Sequence, residues 1–329
     1  MALKVLFLGG TGIISSACAA LAVERGVDLT VLNRGGTASK RPLPPGVRQV
    51  TADVRDVAGV REALRGSEFD AVVDFLAFTP EHVAADVETF RGRVGQYVFI
   101  SSASAYQKPV GHLPITESTP LVNPFWQYSR DKIACEELLV RAHRDEGFPA
   151  VVVRPSHTYD RTSLPLDGGW TAVERMRRGA PVVVHGDGTS LWVLTHHTDF
   201  AKGFVPLLGE PALTGDAVHI TSDEALTWDA IHRTVARAAG VEDPVLVHVP
   251  SDAIARDDPS RGPSLLGDKA HSVVFDNTKL KRFVPGFAAT TSFAAGAREA
   301  VAHHDAHPDL RRTDPEVDAR HDRLAARWG

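Results

Sequence analysis

The sequence predicts an α/β protein built on a doubly wound parallel sheet, with a smaller α/β portion toward the C-terminus. Three observations carry this. Short, almost wholly apolar runs at residues 3–8 and 71–76 have the length of strands buried on both faces. Segments with helical periodicity alternate with such runs through the first two-thirds of the chain, the pattern of strand–helix–strand units. Gly9, Gly10 and Gly12 stand between the first apolar run and the first helical segment, where such folds open their ligand crevice.

In order, residues 3–8 read as a strand, 15–25 as a helix, 28–32 and 47–51 as strands, and 57–64 as a short helix. The strand at 71–76 precedes a helix at 80–91. A strand at 96–101, a long helix at 128–144 and a strand at 150–153 follow. Beyond Pro155 the pattern loosens, with helices at 170–178, 198–208 and 228–239 and strands at 182–184, 217–220 and 245–249. Residues 251–269, rich in Asp, Pro and Gly, read as a loop with short helical turns. Residues 303–329 are charged and poor in large apolar side chains, and read as a peripheral helix or tail.

Composition narrows the function classes. With 329 residues, 43% hydrophobic and 23% charged, the chain has ample material for a core. A net charge of -5 argues against an electrostatic nucleic-acid binder. Cys18 and Cys135 both sit in apolar helical patterns, so buried thiols in a reducing cytoplasm are expected rather than a disulfide. No apolar run has the length of a membrane span, and no membrane association is expected.

The run Gly9-Gly10-Thr11-Gly12-Ile13-Ile14-Ser15 follows the first strand and opens the first helix. Glycines there permit a tight turn and let backbone amides approach a pyrophosphate at the helix N-terminus. Ser15 stands where a third glycine is usual, and is small enough for close packing. The second strand ends at Asn33-Arg34. Without an acidic ribose acceptor, and with a cation instead, this end suits a 2′-phosphate, so NAD(P) is expected with NADP favoured over NAD. Asp53 either accepts from the adenine amino group or is an ordinary turn aspartate. The candidate cofactor contacts are Gly9, Thr11, Gly12, Ile13, Ile14, Asn33, Arg34, Asp53, Val54, Leu76 and Ala77.

Tyr128 and Lys132 are four residues apart on a helical pattern, so phenol and ammonium share one face. A cation there is expected to lower the phenol pKa and make Tyr128 a general acid/base. Ser101-Ser102-Ala103-Ser104-Ala105-Tyr106 closes the strand at 96–101, at the sheet edge where catalysis is expected. With the glycine motif, Val153-Arg154-Pro155-Ser156-His157 and Gly186-Asp187-Gly188-Thr189 followed by His196-His197-Thr198-Asp199, the chain resembles the short-chain dehydrogenase/reductase superfamily over roughly residues 3–300. It resembles most closely the extended or atypical branch called NAD-dependent epimerase/dehydratase.

That resemblance implies a Rossmann domain at 1–155 that takes back a strand and helix from about 180–225. It also implies a mostly substrate-binding subdomain at 156–300 and a peripheral polar segment at 301–329. Ser102 then matches the serine that holds the reacting oxygen, with Ser101 the neighbouring alternative. Tyr128 matches the acid/base, and Lys132 the lysine that binds the nicotinamide ribose. Ser101, Tyr128, Lys132, Pro155 and His157 join the cofactor contacts, and Ser102, Ser104, His157, Trp192 and Lys269 the substrate contacts. The implied activity is that of an oxidoreductase or epimerase working by reversible hydride transfer on a sugar or sugar nucleotide.

Several positions depart from the family pattern. Ser190-Leu191-Trp192-Val193-Leu194 occupies the stretch where sugar-nucleotide members carry a phosphate-gripping arginine. Trp192 can cover a sugar ring or simply fill the core, and Lys269 is either a substitute cation or a solvated loop residue. Ala103-Ser104 replaces the acidic pair of the dehydratases. His157 is either a substrate contact or a structural histidine. No histidine set has zinc spacing, so no metal is expected. Two further readings keep the fold without turnover: an RNA-binding member, which the run Leu32-Asn33-Arg34-Gly35 also resembles, and a cofactor-bound redox sensor. Family members often dimerise through two helices per subunit. Here these are the helices at 80–91 and 128–144, whose apolar residues Val83, Val87, Leu138 and Leu139 serve either a homodimer or the chain's own core.

Overall fold

The computed structural model describes residues 2–35 and 41–329. The first half runs β1 (Lys4–Leu8), α1 (Ile13–Glu24), β2 (Asp28–Asn33), β3 (Arg48–Thr51), α2 (Val57–Ala63), β4 (Phe69–Asp74), α3 (Pro80–Phe90), β5 (Val94–Ile100), α4 (Gln127–Glu146) and β6 (Ala150–Pro155). There follow β7 (His157–Tyr159), α5 (Trp170–Arg177), β8 (Val182–His185), β9 (Leu191–His196), α6 (His197–Phe204), β10 (Ala217–Ile220), β11 (Ala225–Thr227), α7 (Trp228–Ala238) and β12 (Leu246–Val249). The chain closes with α8 (Ser251–Asp257), the single turn α9 (Gly262–Ser264), α10 (Thr278–Phe283), α11 (Phe293–Ala306) and α12 (Pro315–Trp328).

Seven strands make one parallel sheet in the order β10-β6-β5-β4-β1-β2-β3. The period-two pleat explains its two cores. Val5 and Phe7 face one layer with Cys18 of α1 and Phe200 of α6, while Leu6 and Leu8 face the other with Val83 of α3 and Leu139 of α4. Cys18 and Cys135 lie on opposite faces of the sheet, both buried and unpaired. Successive strands are added to one side of β1 (β2, β3) and then to the other (β4, β5, β6, β10), which puts the ligand crevice at the carboxyl ends of β1 and β4.

Beside this sheet, β11-β9-β7 and the parallel pair β12-β8 carry a second core around Tyr106, Trp170, Trp192 and Trp228. The chain crosses between the two parts more than once: β10 pairs with β6 and α6 packs on α1.

Several elements differ from the sequence expectations. β4 stops at Asp74, because the Asp74 carboxylate accepts the N–H groups of Leu76 and Ala77 and turns the chain. α6 gives way to a 3-10 turn at Val205–Leu207, since Pro206 has no N–H to continue the helix. The strands β7, β9 and β11 lie outside those expectations: β7 and β11 have three residues each, and all three pair only within the second portion. The stretch 251–269 is mostly helical, ending in a π-helical turn at Leu265–Lys269.

Of the segment expected as a peripheral helix or tail, residues 315–328 form the helix α12, one face of which is buried against the fold. α12 buries Val317, Arg320, His321 and Leu324, and His321 Nδ1 accepts the Val183 N–H of edge strand β8 at 2.9 Å. Fully buried Arg175 reaches Asp318 and Asp322 on the same helix. Ion pairs hold α12 together with a small apolar contact of Val317 and Leu324, which is why its low hydrophobicity hid how far it is buried. In α3 and α4, Val83, Val87 and Leu139 are buried in the chain's own core, with Leu138 packed against it. Among the described residues no helix is long and apolar enough to cross a membrane.

Burial sets a pH dependence. It lowers the pKa of His157 to about 3, of His185 to about 4 and of His321 to about 3, from 6.5. The unfolded chain therefore binds these protons first as pH falls, so the stabilisation is complete above about 6.5 and is lost toward 4 and 3. Thermal melts should show Tm dropping steeply over that window. A flat Tm from pH 6.5 to 4 would mean that these rings are not held neutral.

Candidate active site

Tyr128 and Lys132 occupy the first turns of α4, and the chain just before them fixes where that helix starts. Asn123 Oδ1 accepts the N–H groups of Phe125 and Trp126 at 3.2 Å each, while its Nδ2 donates to Ser104 O (3.0 Å) and Gly267 O (2.7 Å). Asn123 thus ties together the strand-end serines, the start of α4 and the 265–269 turn. Sequence reasoning missed it, because only the tertiary contacts reveal its partners.

A hydroxyl chain runs into the tyrosine. Ser129 Oγ donates to Ser104 Oγ at 2.9 Å, and Ser104 Oγ lies 2.9 Å from Ser102 Oγ. Ser104's own hydrogen is therefore free for Ser102, and Ser102's for the Tyr128 phenol. Burial raises the Tyr128 pKa, and the Ser102 hydrogen bond counteracts this only in part. The expected depression by Lys132 does not appear. Lys132 Nζ donates to Ala77 O (2.7 Å) and Ile100 O (2.8 Å), and passes 5.8 Å from the Tyr128 ring centre. Desolvation lowers the Lys132 pKa to about 8. The i,i+4 spacing delivered proximity, but two buried carbonyls captured the ammonium.

Ser101, the alternative serine, is buried and donates to Glu136. Glu136 in turn grips Arg154 Nε and Nη2 (3.0 and 2.6 Å), and Arg154 Nη1 reaches Tyr106 Oη at 3.1 Å. This buried cluster bolts β6 to α4 beneath Tyr128 and Ser102. Glu136 was missed, although it continues the 128, 132, 136 face of the helix.

A chamber of about 210 Å³ opens in front of Tyr128, lined also by Ser102, Ser104, Pro155, His157, Trp192, Asp268 and Lys269. All the substrate candidates meet there. Pro155, expected at the cofactor, and His157, expected at both cofactor and substrate, line this chamber. Asp268, neighbour of Lys269, was missed. Gly267 presses against Trp126 Cβ, where an added Cβ would lie 2.9 Å away. Gly267→Ala should therefore cost about 1–3 kcal/mol in denaturant melts, and unchanged stability would show that this packing is loose.

The second cavity, about 650 Å³, lies over the carboxyl ends of β1 to β3. Gly9, Thr11, Asn33, Arg34, Asp53, Val54 and Leu76 line it, as does Arg55, which sequence reasoning did not single out. Gly9 has φ +83°, and a Cβ at Gly10 would meet Val31 at 2.7 Å, so the turn needs both glycines. Ser15 Oγ accepts the Gly12 N–H at 2.9 Å, the reason a serine serves at that position. Ile13 O accepts from Ser16, Ile14 packs into the core, and Ala77 is buried with its carbonyl on Lys132, so these three do not line the cavity. Asn33 Oδ1 is shared by the Gly35 N–H and Gln49 Nε2. Asp53 Oδ1 accepts the Arg55 N–H, an ordinary turn contact that leaves its other oxygen facing solvent. The size of this cavity and its glycine cradle fit a dinucleotide. Among the described residues no group of three or more His, Cys, Asp or Glu side chains is placed to hold a metal ion.

A model of the NAD dependent epimerase/dehydratase family matches residues 5–220. The chain is 27% identical over 74% of its length to the chloroplast stem-loop binding protein of 41 kDa b from Arabidopsis thaliana, covering 65% of that protein. It is 29% identical over 67% of its length to 2'-dehydrokanamycin reductase from Streptomyces kanamyceticus, covering 62% of it. The matched region thus spans just under two-thirds of these relatives. In fold, it is similar to the UDP-glucose 4-epimerase of Thermus thermophilus in complex with NAD, with a TM-score of 0.73 and 24% identity over 93% of this chain and all of that one.

Proposed function

The chain belongs to the NAD-dependent epimerase/dehydratase family, and we propose that it acts as an oxidoreductase or epimerase, moving hydride reversibly at a secondary alcohol or ketone of a sugar-like substrate. The observation that carries this reading is the hydroxyl chain Ser129–Ser104–Ser102 ending on Tyr128 at the wall of one chamber. The bound dinucleotide would supply or accept the hydride. In reduction, half-buried Tyr128, kept protonated by its raised pKa, donates to the carbonyl oxygen and gives that oxygen its proton as the carbon receives the hydride. Ser102 steadies the phenolate left behind, and solvent returns the proton. Oxidation runs the same steps backwards, and an epimerase would return the hydride to the other face of the ketone.

NADP is the favoured dinucleotide. Arg34 and Arg55 both line the cavity over β2. Asn33 Oδ1, already shared by two donors, offers no carboxylate for the ribose diol. Losing a charge-assisted contact to the 2′-phosphate costs about 1.5–3 kcal/mol, so Arg34→Ala should weaken NADP+ binding by about tenfold to a hundredfold. NAD+ affinity should barely change, as calorimetry can measure, and equal losses for both would remove the preference. Mass spectrometry of dinucleotide released from purified protein tests the reading as a whole, since a protein that neither carries nor binds a nicotinamide dinucleotide cannot work this way.

The relative named as a stem-loop binding protein supports a second reading, RNA binding. The net charge of -5 and the Ser102–Tyr128 arrangement favour the enzyme. Salt-sensitive RNA affinity without substrate-dependent NADP(H) turnover would reverse that preference.

A further inference from the structure

We propose that the substrate chamber selects a single sugar-sized polyol bearing one oxyanion, a carboxylate or a phosphate monoester, held by Lys269, and does not take a sugar nucleotide. This rests on reading the chamber as the hydride-transfer site and adds the substrate class.

Size is the first argument. The chamber at Tyr128 is about 210 Å³, and a second of about 170 Å³ shares His157 and Lys269 with it. Sites for drug-sized ligands run to about 300–1,000 Å³. The tilted indoles of Trp192 and Trp228, 5.5 Å apart and both buried, close the space between them.

Charge is the second argument. Lys269 is fixed through its backbone: His185 Nε2 and Trp228 Nε1 both hold its carbonyl, at 3.0 and 3.1 Å. Its ammonium makes no hydrogen bond or ion pair among the described residues and lies 5.8 Å from the Trp126 ring centre. The neighbouring Asp268 is offset by buried Lys108, 3.5 Å away, and Asp167 in the second chamber is paired with Arg261 and Arg320. Among the described residues, one positive charge is therefore left for the ligand, and burial makes an anion beside it favourable.

His157 supplies the third. Its Nδ1 accepts the Trp192 Nε1–H at 3.1 Å, and the ring is neutral, so its proton sits on Nε2. It offers a polyol hydroxyl an uncharged donor and adds no second cation, as a diphosphate would need.

The test is calorimetric titration of NADP+-loaded protein with glucuronate, glucose 6-phosphate, glucose, glucosamine and UDP. At least one of the two sugar anions should bind about tenfold more tightly than glucose, with Lys269→Met abolishing that preference and Lys269→Arg keeping it within about threefold. Whichever anion wins identifies carboxylate or phosphate as the source. The proposal is overturned if neither anion exceeds glucose, if Lys269→Met retains the preference, or if UDP or glucosamine binds best. Binding does not need the Tyr128 proton, so failure of the hydride-transfer reading would leave this result standing and the two remain separable.

Discussion

Replacing Tyr128 with Phe should lower turnover by about 10²–10⁴-fold, the usual contribution of a positioned acid/base, while leaving NADP+ affinity within about twofold. The fold should survive, because the ring keeps its contacts: Trp126 lies 4.8 Å away and the Lys132 ammonium 5.8 Å away, and only the Ser102 hydrogen bond is lost. Steady-state rates beside dinucleotide titrations and melting curves separate the outcomes. A variant that keeps most of its activity sinks the assignment, whereas one that loses dinucleotide binding shows Tyr128 to be structural. Ser102→Ala, which removes the hydroxyl chain's last member, should reduce kcat as well and leave Tm nearly unchanged.

Arg154→Met should cost about 3–5 kcal/mol of stability, because it leaves Glu136 buried without its counter-charge. Both side chains are almost wholly buried, at 6% and 4% exposure, and Tyr106 and Ser101 depend on the same cluster. Denaturant melts give the value. A loss under about 1 kcal/mol would mean that water reaches the pair. Adding Glu136→Leu to Arg154→Met should recover part of the loss by removing the stranded carboxylate. Activity should fall further than stability alone explains, since α4 carries Tyr128 on the helix that this pair bolts to β6.

Much of the fold was legible because the central strands are buried on both faces and so read as unbroken apolar runs. The nucleotide turn was legible for a local reason: its glycines act through the backbone of a few consecutive residues. The Tyr128–Lys132 register was legible because helical spacing fixes which side chains are neighbours. α12 was not, because its anchoring lies in Arg175–Asp318, Arg175–Asp322 and His321–Val183 contacts between residues far apart in sequence. Asn123, Glu136 and Arg55 were passed over for the same reason, each being an ordinary polar residue until its distant partners are known.

By itself, then, the sequence determined the sheet architecture, the dinucleotide turn and the identity of the acid/base candidate, all of which depend on short-range periodicity and backbone geometry. Only the tertiary structure decided the electrostatics of the site. Lys132 turns to the Ala77 and Ile100 carbonyls instead of lowering the Tyr128 pKa, Ser101 is taken by Glu136, and Lys269 is left, among the described residues, as the free cation of the chamber. Charge and hydrogen-bond partners are settled by burial, and burial is a property of the packed chain.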